Sequence, residues 1–260
     1  MRKLRYTYKI LRLPGLLCAF FATWVSATLC VASPSDRLYA SVAMGLSCLA
    51  SSLFHYGAAN KMYARKVWDL VEIQRPGLFI TASIVAFTGS IAISDWLLPR
   101  GCVSIMWFNV VAISLYAQVL SKHWFSKNIT IALVCITPIL LGWWIGTSNN
   151  LVVLDLLLFV FCGHYAREVV KDIQDRKANC GIRVTLPIFI GDIWAQRIAG
   201  IMALASALAS LLLLPDTIGA GMVGLIMAGA GIKLLVSNDT NWIPQLMTAA
   251  MGLLIITFAN

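Results

Sequence analysis

Of the 260 residues, 60% are hydrophobic and only 12% charged, where a soluble domain holds roughly 45–50% apolar and 25% charged residues. One soluble core cannot absorb repeated apolar runs of about 20 residues, the length that spans a ~30 Å hydrocarbon layer, so the bilayer is the solvent for most of the chain. The net charge of +9 is not strung along one soluble face, so no nucleic-acid partner is expected and topology has to account for it. Seven cysteines, Cys18, Cys30, Cys48, Cys102, Cys135, Cys162 and Cys180, form no C-x-x-C pair and lie mostly within apolar runs, as small buried hydrophobes do.

In chain order the apolar runs fall at about 14–32, 38–58, 77–98, 102–120, 129–146, 151–165, 193–214, 218–236 and 242–258, which predicts nine transmembrane helices in a single membrane domain, residues 1–260. The sixth run is short and passes into a polar stretch, so its helix should continue beyond the membrane surface. The lysines and arginines offer an independent check, because cytoplasmic segments hold the positive excess. Arg2, Lys3, Arg5, Lys9 and Arg12 precede the first run; Lys61, Arg65, Lys66 and Arg75 follow the second; Lys122 and Lys127 follow the fourth. Arg167, Lys171, Arg176, Lys177, Arg183 and Arg197 lie from the end of the sixth to the start of the seventh, and Lys233 before the ninth, so 18 of the 20 basic residues fall on alternate segments and Arg37 and Arg100 oppose them. The amino terminus is therefore expected in the cytoplasm and the carboxyl terminus on the opposite side. A basic start followed by an apolar run and Val31-Ala32-Ser33 also resembles a signal peptide, but the charge alternation requires the first run to be retained. Trp124, Trp143, Trp144, Trp194 and Trp242 sit at run ends, as a headgroup belt requires, whereas Trp24 and Trp107 lie within runs, facing lipid or lining a cavity.

The polar chemistry gathers in the segment 167–192, REVVKDIQDRKANCGIRVTLPIFIGD, which holds four of the eleven acidic residues. At about 100° per residue, Glu168, Asp172, Asp175 and Asn179 share one face of a continuous helix. Hard cations such as Mg²⁺ take oxygen ligands and are commonly shared between one or two carboxylates and a substrate's phosphates, so this stripe suits a metal-bridged diphosphate. Arg167 and Lys171 stand beside it, and His164 lies one turn earlier. The plainer reading is that Glu168 and Asp172 pair with Lys171, Arg176 and neighbours on a solvated helix. Removing a charge from a stripe of carboxylates is expected to relieve repulsion and leave stability unchanged.

Arg167-Glu168-x-x-Lys171-Asp172-x-x-Asp175, followed by Gly181, Thr185-Leu186-Pro187-Ile188 and Gly191, resembles the second aspartate-rich loop of the UbiA superfamily of intramembrane prenyltransferases. Within it, the pattern is most similar to the geranylgeranylglycerol-phosphate geranylgeranyltransferase-like members. Tyr116, Lys122 and Asn128 resemble that family's connection between fourth and fifth helices. Asn60, with Arg75-Pro76 fifteen and sixteen residues on, has the spacing of its first motif, NDxxDxxxD and the trailing Arg-Pro. Lys61, Ala64 and Trp68 stand where that motif has aspartates, and Asn179 stands where the second has its last one, so the first metal site is degenerate and the second reduced. Glu72 lies one turn beyond Trp68 on nearly the same face, where it either substitutes as a ligand or pairs with Lys66 or Arg75.

The resemblance implies an all-α bundle of nine transmembrane helices around a central cavity. It also implies transfer of a prenyl group from a polyprenyl diphosphate donor to an aromatic or lipid acceptor in the bilayer, with Mg²⁺ as cofactor. Asp172 and Asp175 would be catalytic, and with Glu168 and Asn179 would hold the metal. Asn60, Lys61, Tyr116, Lys122, Arg167 and Lys171 would bind substrate. Two other readings stand beside this one: a catalytically impaired relative that binds a prenyl lipid or a partner, and a transporter, for which the only mark is Asp155 within the sixth run.

Overall fold

The computed structural model describes residues 13–62, 76–148, 151–181, 183–212, 218–237 and 239–259, and these form helices and connecting turns with no strand among them. The long helices are α1 (Leu13–Leu29), α2 (Pro34–Met62), α3 (Pro76–Trp96), α4 (Cys102–Gln118), α5 (Trp124–Ile145) and α6 (Val152–Gln174). Two short helices follow, α7 (Arg176–Asn179) and α8 (Leu186–Ile190), and then the long α9 (Asp192–Leu212), α10 (Ile218–Val236) and α11 (Ile243–Ala259). Each predicted apolar run thus has a long helix in the described residues. Five of them, at Pro34–Gly57, Gly77–Trp96, Trp124–Ile145, Asp192–Leu212 and Gly219–Val236, are long and apolar enough to cross a membrane. Helices α1 and α4, at 17 residues, reach about 25 Å at 1.5 Å per residue, just short of the hydrocarbon thickness. Large apolar side chains lie exposed along these helices, among them Leu78, Val85, Ile201, Leu208 and Leu225, a surface that suits lipid and not water. Trp107 is one of them. The chain is an integral membrane protein.

The described residues divide into two compact units. One comprises those up to Ala117 with the end of α5 from Leu140; the other comprises Gln118–Ile139 and everything from Leu151 onward. In the first unit α2 packs against α1 and α3. Bundle packing in lipid relies on close approach and interhelical hydrogen bonds, because lipid is as apolar as the helices themselves. Ser83 Oγ accordingly donates to the Ala50 carbonyl and Ser90 Oγ to that of Ala43, each at 2.8 Å. Ala27, Ala40, Met44, Cys102, Met106, Leu141 and Ile145 form its buried core. Gly142 and Gly146 let the end of α5 lie against the carbonyls of Thr23 and Cys30, where an added Cβ would come within 2.6 Å of each.

In the second unit α9 lies against α6 and α10, and α11 against α10 and α6. Gly200 and Gly231 face each other across α9 and α10, where an added Cβ on either would come within 3.1 Å of the other's carbonyl oxygen. Ser206 Oγ donates to the Phe159 carbonyl at 2.9 Å and Ser210 Oγ to that of Ala220 at 2.8 Å. Pro138 inside α5 has no N–H for the carbonyl four residues back; Thr137 Oγ1 donates to that carbonyl, Val134, at 2.7 Å instead. As expected, α6 does not stop with its apolar run but continues to Gln174.

Close approach at Gly146 gives a direct test. A Cβ there would lie 2.1 Å from the Cys30 Cβ, whereas one at Gly252 would meet nothing within 4 Å. Gly146→Ala should therefore lower the thermal stability of the detergent-solubilised protein, by an overpacking cost of about 1–3 kcal/mol, and Gly252→Ala should not. Equal melting temperatures for the two variants would contradict this packing.

Candidate functional site

Helix α6 is apolar through Gly163 apart from Asp155 in its first turn, and carries its other charges from Arg167 onward. Glu168 and Asp172, one turn apart, are only 6% and 1% exposed. A buried carboxylate is tolerated only when paired, and each is. Glu168 Oε1 accepts from Arg167 Nη1 at 2.5 Å and from Lys171 Nζ at 3.0 Å, with Lys171 also 3.2 Å from Oε2. Burial alone would push the Glu168 carboxyl up; Lys171, Arg167 and Lys127 outweigh it and hold the group at about 2. Arg167 is itself anchored, its Nε donating to Thr248 Oγ1 on α11 at 2.7 Å.

Asp172 Oδ1 accepts from Nζ of Lys127, in the first turn of α5. Lys127 is 3% exposed, so this ion pair lies inside the protein. Its other oxygen, Oδ2, is buried with no hydrogen-bond partner among the described residues, and so are both amide atoms of Asn128 and Oγ1 of Thr185. The segment after α6 is tied back to the residues at the start of α5. Val184 N–H donates to the Lys122 carbonyl at 3.0 Å, and Phe189 stacks on Trp124 with ring centroids 4.6 Å apart. Gly181 at φ +78° and Gly191 at φ +88° supply the left-handed turns this path needs, which side-chain-bearing residues resist.

The reading of four ligands on one helical face requires a helix unbroken to Asn179, and α6 ends at Gln174. Asp175 follows at φ −89°, ψ 6°, and Asn179 belongs to the separate turn α7. Asn179 is nonetheless buried, its Oδ1 accepting from Arg183 Nε at 2.9 Å, while Asp175 is half-exposed. The plain pairing reading is met for Glu168 and Lys171, with the carboxylate buried and the ammonium partly exposed. Arg176 pairs instead with Asp192 at 2.6 Å. The expectation that removing a charge would relieve repulsion also fails for Asp172, because its neighbour is a cation.

Lys122 ends a short 3-10 turn, Leu120–Lys122, and its side chain is exposed. Tyr116 is half-buried on α4, in the other unit. Asp155 lies half-buried in the first turn of α6, and His164 has a buried Nδ1 with no partner among the described residues. Asn60 and Lys61 close α2 with side chains outside the described residues, and Ala64, Trp68 and Glu72 lie outside them altogether. Among the described residues no group of three or more His, Cys, Asp and Glu side chains is arranged as a metal cage. Lys127 was counted in the sequence only as a topological charge. Its signal was there: it is the one charge in the 22 residues of α5, and ionisable groups in apolar spans are functional candidates by default.

Comparison with protein-family models gives no match, and comparison with curated protein sequences gives none. Solved structures do match over nearly the whole chain. A digeranylgeranylglyceryl phosphate synthase structure superposes with a TM-score of 0.75 at 16% identity, covering 99% of this chain and 98% of that one. The UbiA homologue from Archaeoglobus fulgidus bound to GPP and Mg²⁺ gives 0.70 at 12%, covering 98% of each chain. The apo UbiA homologue from Aeropyrum pernix K1 gives 0.75 at 13%, covering 96% of this chain and 97% of that one. At such identities the likeness is one of fold: the chain has the helical fold of the UbiA homologues, as the sequence resemblance implied.

The buried pair yields a double-mutant prediction. Asp172→Asn leaves a buried ammonium without its counter-charge, and Lys127→Met a buried carboxylate without its own, so each should cost about 3–5 kcal/mol of stability. The double variant should cost much less than the sum. Thermal unfolding of the three variants in one detergent reads this directly, and strictly additive losses would mean that the two groups do not interact.

Proposed function

We propose that this protein is an intramembrane prenyltransferase that moves a prenyl group from a polyprenyl diphosphate to an aromatic or lipid acceptor. The observation that carries the reading is the buried charge group of Asp172, Lys127 and Glu168 at the polar end of α6, in a fold shared with a homologue solved with GPP and Mg²⁺. The chain would act as one membrane domain of nine spans around a cavity, with the amino terminus and this cluster on the cytoplasmic side.

Mg²⁺ fits the donor set present. Asp172 Oδ2 is a buried carboxylate oxygen with no partner among the described residues, and Asp175 follows one turn on. An ion that keeps several waters and shares its shell with phosphates needs only one or two carboxylates, so no larger cage is required. Asp172 and Asp175 would hold it, with Asn179 beside them. Bound there, Mg²⁺ would supply positive charge to the diphosphate as it leaves the allylic carbon. Glu168 has both oxygens engaged, and its role is to fix Arg167 and Lys171, whose remaining N–H groups bind phosphate oxygens. Lys122 and, on the sequence resemblance alone, Asn60, Lys61 and Tyr116 would be further substrate contacts. The acceptor would then attack the allylic cation and lose a proton, with the diphosphate as the leaving group.

A second reading keeps the donor site without turnover: a protein that binds a prenyl lipid or a partner. It is favoured by the same ion pairs, since both buried carboxylates of α6 are already neutralised by cations.

Release of diphosphate from labelled prenyl diphosphates by the purified protein, against a panel of quinone precursors, phenols and glycerol phosphates, separates the two. Release with at least one donor and acceptor pair is expected. Asp175→Asn should reduce it by roughly 100-fold or more if the carboxylate holds the metal, with little change in melting temperature because the residue is half-exposed. Asp95→Asn, on the exposed end of α3, should be silent. No release with any pair, alongside measurable donor binding, would favour the second reading.

A further inference from the structure

The ion pair beneath Asp172 offers two kinds of binding at one point. An ammonium has three N–H donors, and among the described residues Lys127 Nζ donates to Asp172 Oδ1 alone. Asp172 Oδ2 has no partner there. A bare cation-binding oxygen and spare cationic donors therefore lie side by side, both shielded from water. The neighbouring charges decide which ligand can use them. Arg183 and Glu168 lie within electrostatic reach of Lys127, and Glu168 is already held by Arg167 and Lys171. Four cationic side chains, Lys127, Arg167, Lys171 and Arg183, thus stand against the two buried carboxylates. A divalent ion arriving alone at Oδ2 meets the Lys127 ammonium across one carboxylate group and must share its charge. The same ion arriving with a diphosphate does not, because the phosphate oxygens can take the free N–H groups of Lys127 while the ion takes Oδ2.

Resting on the prenyl diphosphate reading above, we infer that Lys127 is a diphosphate-binding residue that makes occupation of Asp172 by a divalent ion conditional on the diphosphate. Metal and diphosphate then enter as one charge-alternating unit, and the site without donor holds no ion. Two further buried groups with no partner among the described residues belong to the same two chain segments. The Asn128 amide follows Lys127 in sequence, and the Thr185 hydroxyl follows the Val184 that is bonded to the Lys122 carbonyl. Leaving such groups unsatisfied is costly in the empty protein, and an incoming ligand relieves that cost.

The test measures Mn²⁺ binding by electron paramagnetic resonance, and geranyl thiodiphosphate binding by calorimetry at saturating Mg²⁺. It uses the full-length protein and Lys127→Gln, which keeps an N–H donor for Asp172 without the charge. Without diphosphate, Lys127→Gln should bind Mn²⁺ roughly tenfold or more tightly than wild type, since a like charge within a few ångströms is removed. Geranyl thiodiphosphate should bind the variant about tenfold more weakly. Lys127→Arg should resemble wild type in the Mn²⁺ measurement. Equal Mn²⁺ affinities for wild type and a folded Lys127→Gln would overturn the inference. Should Lys127→Gln not fold, wild type alone decides: it should take up Mn²⁺ far more tightly with inorganic diphosphate than without, and equal uptake would overturn the inference. The two readings fail separately. Mn²⁺ tightening in Lys127→Gln with inorganic diphosphate bound but no prenyl analogue bound would leave the coupling standing and remove the prenyl donor. Geranyl thiodiphosphate binding that Lys127→Gln leaves unchanged, with unchanged Mn²⁺ affinity, would keep the donor and remove the role of Lys127.

Discussion

An ammonium and a carboxylate withdrawn together from water each lose several kilocalories of solvation, and only close contact makes the arrangement tolerable. The Lys127–Asp172 pair is such a contact, and the surrounding architecture follows from it. Lys127 holds the first turn of α5 to the polar end of α6. The Val184–Lys122 backbone bond and the stacking of Phe189 on Trp124 then fold the segment after α6 across the same place. The site is therefore less a loop carrying ligands than a charge arrangement to which the loop is fitted.

The bilayer sets the rest. Lipid provides no hydrophobic drive between helices, so the two units are held by close backbone approach and by hydroxyl groups that find carbonyls on neighbouring helices. Gly142 and Gly146 serve the first unit and Gly200 and Gly231 the second, while Ser83, Ser90, Ser206 and Ser210 supply the bonds. Large apolar side chains that a soluble protein would bury are turned outward along the same helices. Glu168 and Asp172 are buried at the one stretch of α6 where cations from α5 and from α6 itself converge.

Most of the fold was legible in the sequence because a membrane helix is written locally: an apolar run of sufficient length forms a helix whatever surrounds it. The continuation of the sixth helix to Gln174 was legible for the same reason, from the charged residues that extend its pattern. The site was legible as a region but not as a structure. Glu168, Asp172 and Lys171 were recognised by spacing, yet the partner of Asp172 lies 45 residues away in the chain, and no periodicity links two charges on different helices. Asn179 was placed on the α6 face by assuming one helix. The chain instead leaves that helix at Asp175 and turns at Gly181, a change no hydropathy pattern records. Asn60 and Lys61, which resemble part of the first motif, have side chains outside the described residues, so their place in the chemistry rests on sequence alone.

On the proposed function, the polar end of α6, with Lys127 beneath it, receives the diphosphate of a prenyl donor. An experimental structure of the protein in lipid nanodiscs with geranyl thiodiphosphate and Mg²⁺ tests it most directly. The account predicts phosphate oxygens within hydrogen-bond distance of Lys127 and Lys171, and the metal on Asp172. A diphosphate bound elsewhere, with Asp172 still paired only to Lys127, would contradict it.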